Sequence, residues 1–289
     1  MKGIILAGGK GSRLYPMTKA VSKPLIPIYD KPMVYYPLSV LLQAGIREIM
    51  LITAPADLES YRRLLGTGEQ FGIRMEYGVQ PVARGIADAF LIAEDFIVND
   101  RCCLVLGDNL FYGAALDELL QNAVERTEGA TIFGYPVKNP SDFGVVEFDS
   151  DGSVLSIEEK PKQPKSRYAV PGLYFYDEKA VALAKTLTPS ARGELEITAL
   201  NEKYLQMGKL HVELMARGMA WLDTGTPEGM LNAAEYVEAV QSRQGLYIAC
   251  PEEIAWQKGF ISDEEMRAIG SELKMTEYGQ YLLALVEND

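Results

Sequence analysis

The 289-residue chain carries 28 Lys and Arg against 40 Asp and Glu, a formal net charge of −12. Such a chain repels a polyanionic backbone, which argues against a general polynucleotide binder, yet a few local cations can still hold a small anion. Apolar residues make up 48%, enough for a sizeable core in one large domain or two small ones.

MKGIILAGG opens the chain as a short buried strand, too brief for a signal peptide. No apolar run approaches the roughly 18 residues of a membrane span, so none is expected, and three cysteines without CxxC spacing point to the cytoplasm. PMVYYPLSVLLQA (32–44) reads as a helix with proline in its first turn. REIMLIT (47–53) is a second buried strand, 57–65 a helix, IRMEYGVQ (73–80) a strand and 86–96 a helix. CCLVLGD (102–108) is a third apolar strand, where Cys102 and Cys103 suit core packing. With Cys250 they form an odd set without CxxC spacing, which points to reduced thiols. Helix 114–127 and strand ATIFGYPV (130–137) follow. This alternation predicts a parallel sheet covered on both faces.

From residue 143 the texture changes. FGVVEFDSDGSVLSIEEKP has two alternating runs around Asp151-Gly152, a hairpin signal. Strand 169–177, helix 178–186, helix 193–207 and strands KLHVELM and GMAWLD come next. The single histidine, His211, sits mid-strand, which removes a histidine-rich metal site and speaks against a histidine-based triad. From Pro227 the chain reads as helices at 227–243, 251–258, 263–272 and 276–287. Tyr35, Tyr36, Tyr174 and Tyr176 are packing candidates. The expected fold is α/β and Rossmann-like: a mostly parallel mixed sheet with helices on both faces and a helical C-terminal appendage.

The stretch LAGGKGSRLYP (6–16) places three glycines within four positions straight after the first strand. Three phosphate-loop patterns compete for it. GxxxxGK[ST] begins at none of the glycines. For GxGxxG, Gly9 and Gly11 fit, but Leu14 stands where the third glycine belongs. Pro16, Pro24 and Pro27 also forbid a long helix from this turn. The third pattern is a glycine turn whose bare N–H groups approach an oxyanion. Arg13 offers a planar fork for two phosphate oxygens, and Lys23 follows ten residues later. Together they make a triphosphate clamp; a tight turn with two surface cations is the alternative.

Asp108 ends the apolar strand CCLVLG, and Asn109 and a loop follow. Ligands bind beyond the carboxyl ends of parallel strands, so this acid is placed for a phosphate-bound metal. Asp223 ends GMAWLD, and two such aspartates could share one Mg²⁺. Each could equally be a cap or turn residue. Glu158-Glu159-Lys160-Pro161 closes a strand with charges, by itself a solvated hairpin edge.

The whole stretch LAGGKGSRLYPMTKAVSKPLIP resembles the signature of the sugar-1-phosphate nucleotidyltransferases, matching at Leu6, Ala7, Gly8, Gly9, Gly11, Arg13, Leu14, Pro16, Thr18, Lys23 and Pro27. YDKPMVYYPLSVL, VLGDNLFYG, FGVVEFD, IEEKPKQPKS, GLYFYD, RGELEIT, WLDTGT and EYGQYLL extend the likeness end to end toward its glucose-1-phosphate thymidylyltransferase branch. The resemblance implies dTTP and glucose 1-phosphate as substrates, dTDP-glucose and pyrophosphate as products, and Mg²⁺ as cofactor. The product would be a first step toward deoxysugars such as dTDP-rhamnose.

It also implies roles. Leu6, Gly8, Gly9, Gly11, Ser12, Arg13, Lys23, Gln80, Gly85 and Asp108 would hold the nucleotide, with Gln80 and Gly85 at the base. Asp108, Gly144, Glu159, Lys160 and Val170 would hold the sugar phosphate. Asp108 and Asp223 would carry the metal, and Arg13, Lys23 and Lys160 would act in catalysis. A core of 1–226 would divide into a nucleotide-binding half (about 1–110) and a sugar-binding half (about 111–226). Residues 227–289 would form an oligomer or regulatory surface, in a homotetramer inhibited by a downstream dTDP-sugar.

The chain departs from the branch at several positions. Lys10 stands where serine is common, Pro24 where glutamine is, Phe143 for tyrosine and Pro171 for threonine. Ala83-Arg84-Gly85-Ile86-Ala87-Asp88 replaces a Pro-Asp-Gly-Leu-Ala-Gln run. Ala114 and Gln257 stand where histidine and arginine are expected at the feedback site. Two rival readings are a relative using UTP or another sugar phosphate, and a catalytically silent nucleotide-sugar-binding subunit.

Overall fold

Strands and helices alternate through the first half of the chain. In order they are β1 (Lys2–Leu6), a small ribbon of β2 (Pro27–Ile28) and β3 (Lys31–Pro32), α1 (Tyr35–Gln43), β4 (Glu48–Thr53), α2 (Leu58–Leu65) and β5 (Arg74–Val79). Then come α3 (Asp88–Ile92), α4 (Glu94–Ile97), β6 (Cys102–Leu106), β7 (Asn109–Tyr112), α5 (Leu116–Glu125) and β8 (Ala130–Pro136). The second half begins with β9 (Gly144–Phe148), β10 (Val154–Glu159), β11 (Tyr168–Ala169) and β12 (Leu173–Tyr176). It continues with α6 (Ala180–Ala184), α7 (Ile197–Gln206), β13 (Leu210–Leu214) and β14 (Ala220–Asp223). Helices α8 (Pro227–Gln244), α9 (Pro251–Gln257), α10 (Asp263–Glu272) and α11 (Glu277–Glu287) complete it. This computed structural model describes residues 1–9 and 11–287, so Lys10, one of the departures noted above, lies outside the described residues.

Among the described residues, ten strands form one mixed sheet in the order β10-β9-β11-β8-β12-β6-β1-β4-β5, with β13 also on β8. β6, β1, β4 and β5 run parallel. β12 enters antiparallel between β6 and β8, and the β9–β10 hairpin turns at Asp151-Gly152 as the sequence indicates. Side chains alternate between two buried faces, which is why these strands read as continuous apolar runs. Ile5, Leu51, Cys103 and Val105 face one apolar layer; Ile4, Met50, Ile52, Cys102 and Leu104 face the other. The C-terminal helices contribute Ile254, Met266, Leu282 and Val286 to the first of these layers, and Ile261 joins them from the link between α9 and α10. No helix among the described residues is long and apolar enough to cross a membrane.

Several elements differ from the sequence reading for identifiable reasons. α1 starts at Tyr35, not Pro32, because the N–H groups of Met33 and Val34 bond back to the Ile26 and Pro24 carbonyls. The helix expected over 86–96 begins at Asp88, since Ala87 N–H is taken by the Leu195 carbonyl, and it is divided at Ala93 without a proline or glycine there. The strand expected over 169–177 is broken between β11 and β12, where Gly172 N–H donates to Asn109 Oδ1. The residues after Asp108 form β7 rather than a loop, and β7 pairs antiparallel with β14 in a separate small sheet.

The ends of β1 and β6 are tied together: Gly107 N–H donates to the Leu6 carbonyl at 2.9 Å. A Cβ on Gly107 would stand 3.1 Å from that oxygen and 3.2 Å from Ala7 Cα. Gly107→Ala is therefore expected to cost about 1–3 kcal/mol by overpacking, read as a lower urea midpoint with an unchanged slope.

Candidate active site

The β1 strand delivers its last residue, Leu6, to a turn in which Gly9 and Gly11 adopt φ of 102° and 55°. Those values lie in the region that favours glycine. The turn is closed by Thr18 Oγ1, which donates to the Gly11 carbonyl at 2.7 Å. A short 3₁₀ turn over Ser12–Leu14 then presents Arg13. Leu14, the residue that spoils the dinucleotide pattern, is buried against Met33, Tyr36, Leu110 and Ala233 and anchors the turn. Leu6, Gly8, Gly9, Gly11, Ser12, Arg13, Lys23, Asp108 and Gly225 line a hollow of about 290 Å³ above the β1 and β6 ends.

A second hollow of about 220 Å³ opens beside it, and Arg13, Ile86, Leu106 and Asp108 line both. Its far wall holds Gly144, Glu159, Lys160, Val170 and Asp223, together with Asn109, Phe143, Tyr174, Thr198 and Trp221. Gly144 faces Glu159 across the β9–β10 pair, and its carbonyl accepts from Val170 N–H at 2.8 Å. Thr198 Oγ1 donates to Glu159 Oε2 at 2.7 Å. Lys160 stands just past β10 with φ of 44°, a left-handed backbone unusual for a residue with a side chain. Such conformations collect where the surrounding structure needs a side chain re-aimed. Its N–H donates to the Phe143 carbonyl at 3.0 Å.

Asp108 lies two residues beyond β6 rather than at its end. Lys23 Nζ sits 2.5 Å from Asp108 Oδ2, and Asn109 Nδ2 donates to Oδ1 at 2.9 Å. The Asp108 carbonyl accepts from Thr224 Oγ1 at 2.8 Å, which fastens the 224–226 turn beside it. Asp223, the last residue of β14, accepts from Gly225 N–H. A Cβ on Gly225 would meet Asp223 Oδ2 at 3.0 Å and Arg13 Nη2 at 3.2 Å, so acid and guanidinium gather at that glycine. Burial first, and then the neighbouring Asp108 carboxylate, push the Asp223 carboxyl above its ordinary range, against the pull of Lys23 and Arg13. Both acids offer hard oxygen donors, which suit a divalent cation that keeps waters and phosphate oxygens as its other ligands.

Gln80 and Gly85, expected at the base, do not line the first hollow. Gln80, only 5% exposed, lines an adjoining cavity of about 490 Å³ with Gly9, Lys23, Ala54 and Val82. Gly85 lines neither hollow. Its φ is 100°, and a Cβ there would meet the Leu195 carbonyl at 2.4 Å. Leu195 N–H donates to the Arg84 carbonyl, so the loop carrying Gly85 is zipped to the lead-in of α7.

Sequence reasoning missed Asn109, Thr198 and Trp221. Asn109 is buried and bonds Asp108, Gly172 and the Trp221 indole together. Its place directly after the strand-end acid was the available signal; Trp221 and Thr198 sat inside WLDTGT and RGELEIT with none beyond the resemblance. Phe143 packs edge-on against Trp221 with ring centroids 5.0 Å apart.

A glycine turn with an arginine, joined through a carboxylate to a hollow with its own lysine, offers two adjoining seats lined with cations. That is the arrangement of enzymes that move a nucleotidyl group. The family model described as nucleotidyl transferase matches residues 2–240, and the chain belongs to this family. It is 58% identical over 287 residues to a glucose-1-phosphate thymidylyltransferase of Neisseria meningitidis serogroup A, covering 99% of this chain and 100% of that one. It is 54% identical to the protein of that name from Mycolicibacterium smegmatis over the full length of both. A crystal structure described as a glucose-1-phosphate thymidylyltransferase of Bacillus anthracis in complex with sucrose superposes with a TM-score of 0.76 at 43% identity, covering 82% of this chain and 94% of that one. UDP-glucose pyrophosphorylase in complex with UDP-glucose shares the fold, with a TM-score of 0.74 at 21% identity, covering 83% and 98%.

Asp223→Asn keeps the acceptor for Gly225 N–H and removes a half-buried charge. Because the folded-state value is raised, the charged form is disfavoured in the folded protein. That cost is absent below the unfolded carboxylate range and grows as pH rises through the folded value. The variant should therefore melt higher than the parent at pH 7, metal-free, with the gain shrinking toward pH 3 in a series of thermal melts.

Proposed function

We propose that the chain transfers dTMP from dTTP to α-D-glucose 1-phosphate, giving dTDP-glucose and pyrophosphate. A phosphate oxygen of the sugar attacks the α-phosphorus in line, and the bond to the β-phosphate oxygen breaks as pyrophosphate leaves. The attacking phosphate is already an anion, so no general base is required, which suits a chain with one histidine on β13. The observation that carries this reading is the wall shared by the two hollows, where Arg13 and Asp108 serve both.

The first hollow takes the triphosphate on the Gly8, Gly9 and Gly11 backbone and on Ser12. The second takes the sugar phosphate, with Glu159 accepting sugar hydroxyl hydrogens, Gly144 and Val170 lining the ring, and Lys160 on the phosphate. Lys23 and Lys160 offset the repulsion between the two polyanions, and Arg13 takes charge on the leaving pyrophosphate. Asp108 and Asp223 would hold Mg²⁺, which when bound supplies positive charge to the phosphates. Gln80 and the Gly85 backbone face the base. Catalysis is positioning plus electrostatics. A homotetramer, feedback by a downstream dTDP-sugar and a cytoplasmic location belong to the same reading.

Pyrophosphate release should be seen with dTTP, glucose 1-phosphate and Mg²⁺ among five nucleoside triphosphates assayed in parallel. Chelation should abolish it and added Mg²⁺ restore it. Arg13→Ala should lower turnover by roughly 10²-fold or more, the scale lost with a key charge stabiliser; a rate within twofold of the parent would remove Arg13 from the mechanism.

A further inference from the structure

Gln80 does not choose its own orientation. Its Nε2 donates to Asp88 Oδ2 at 2.9 Å, and the same nitrogen lies 3.5 Å from the Gly85 carbonyl. Asp88 is fully buried at the start of α3. Arg84 Nη2 approaches its other oxygen, Oδ1, to 2.9 Å, an ion-pair contact without hydrogen-bond alignment. An ion-paired carboxylate accepts hydrogen bonds and donates none. The partner it faces must therefore be the amide nitrogen of Gln80, and the flipped amide would set oxygen against oxygen. Gln80 Oε1 is left pointing the other way, 2.9 Å from where a Cβ on Gly8 would stand. Gly8 lines the phosphate hollow, so the acceptor end of the amide is the end turned toward the glycine turn.

We propose that Asp88 is a specificity-determining residue: by fixing the Gln80 amide it makes the base seat present an acceptor, which selects a pyrimidine imide over cytosine. The inference rests on the proposed use of dTTP and deepens it. Thymine and uracil carry a hydrogen on N3 and can donate it to Gln80 Oε1. Cytosine N3 has a lone pair and would face that oxygen with no hydrogen between them. Arg84 acts one step further out, as the counter-charge of the buried acid. Asp88 works through Gln80 and touches no reacting atom, so it is a positioning residue.

The decisive quantity is the ratio of kcat/KM for dTTP to that for dCTP, with glucose 1-phosphate saturating. Asp88→Asn has the same shape but can donate to Gln80 Oε1, which frees the amide to turn its –NH₂ toward the base. The ratio should fall by about tenfold or more, since sites built around one hydrogen-bond pattern discriminate strongly against its inverse. Most of the change should appear in KM, and equilibrium binding of dTTP and dCTP should move in opposite directions. Asp88→Ser, smaller and also uncharged, is the second variant if Asp88→Asn does not fold, and should move the ratio the same way. Equal losses for both nucleotides, or an unchanged ratio, would overturn the role of Asp88 while leaving dTTP use standing. Failure of the parent protein to use dTTP at all would instead remove the function on which the inference rests.

Discussion

The site depends on one close approach, that of the β1 and β6 ends. Where two parallel strands stop side by side, their next residues share the same few ångströms, and a side chain between them would hold them apart. Gly107 leaves that space empty and donates to the Leu6 carbonyl. The consequence is positional. The glycine turn after β1 and the acid after β6 emerge as neighbours, and the two hollows acquire a common wall. Asn109, one residue on, carries the same constraint outward to Gly172 and Trp221.

A second constraint is electrostatic. The chain is acidic overall, yet the cleft proposed for two polyanions places Arg13, Lys23 and Lys160 around it. Lys23 is spent on Asp108, and Asp223 is left with an unfavourable charge in a half-buried setting. Residues arranged this way cost folding free energy and are compatible with a stable protein because the two apolar layers of the sheet are extensive. The strained backbone at Lys160 belongs to the same pattern of local cost at a site held by its surroundings.

Much of this was legible in the sequence because it is periodic or local. Continuous apolar runs marked the strands of the sheet, Asp151-Gly152 marked the hairpin, and the glycines with Arg13 marked the turn. What was not legible depends on partners distant in the chain. Asn-Leu-Phe-Tyr at 109–112 becomes a strand only because β14, more than a hundred residues on, pairs with it. α3 starts late because Leu195 claims the Ala87 N–H. Of the residues around the cleft, those at strand ends were found, whereas Asn109 and Asp88, which act by bonding other side chains, carry no periodicity to reveal them. Gln80 and Gly85 were named together for the base; what the sequence could not show is that Gln80 lines an adjoining cavity and that Gly85 leaves no room for a side chain beside the Leu195 backbone.

The Leu195 pairing reaches beyond local geometry. Its N–H and carbonyl bond the backbone at Arg84 and Ala87, while Ile197 and Thr198 just beyond it line the second hollow. Segments 80–88 and 192–198 thus form one inherited block, although a hundred residues of chain separate them. A chimera that takes one segment from a relative and keeps the other would join mismatched halves of a single clasp. Recombination between homologues should leave viable descendants where both segments come from the same parent.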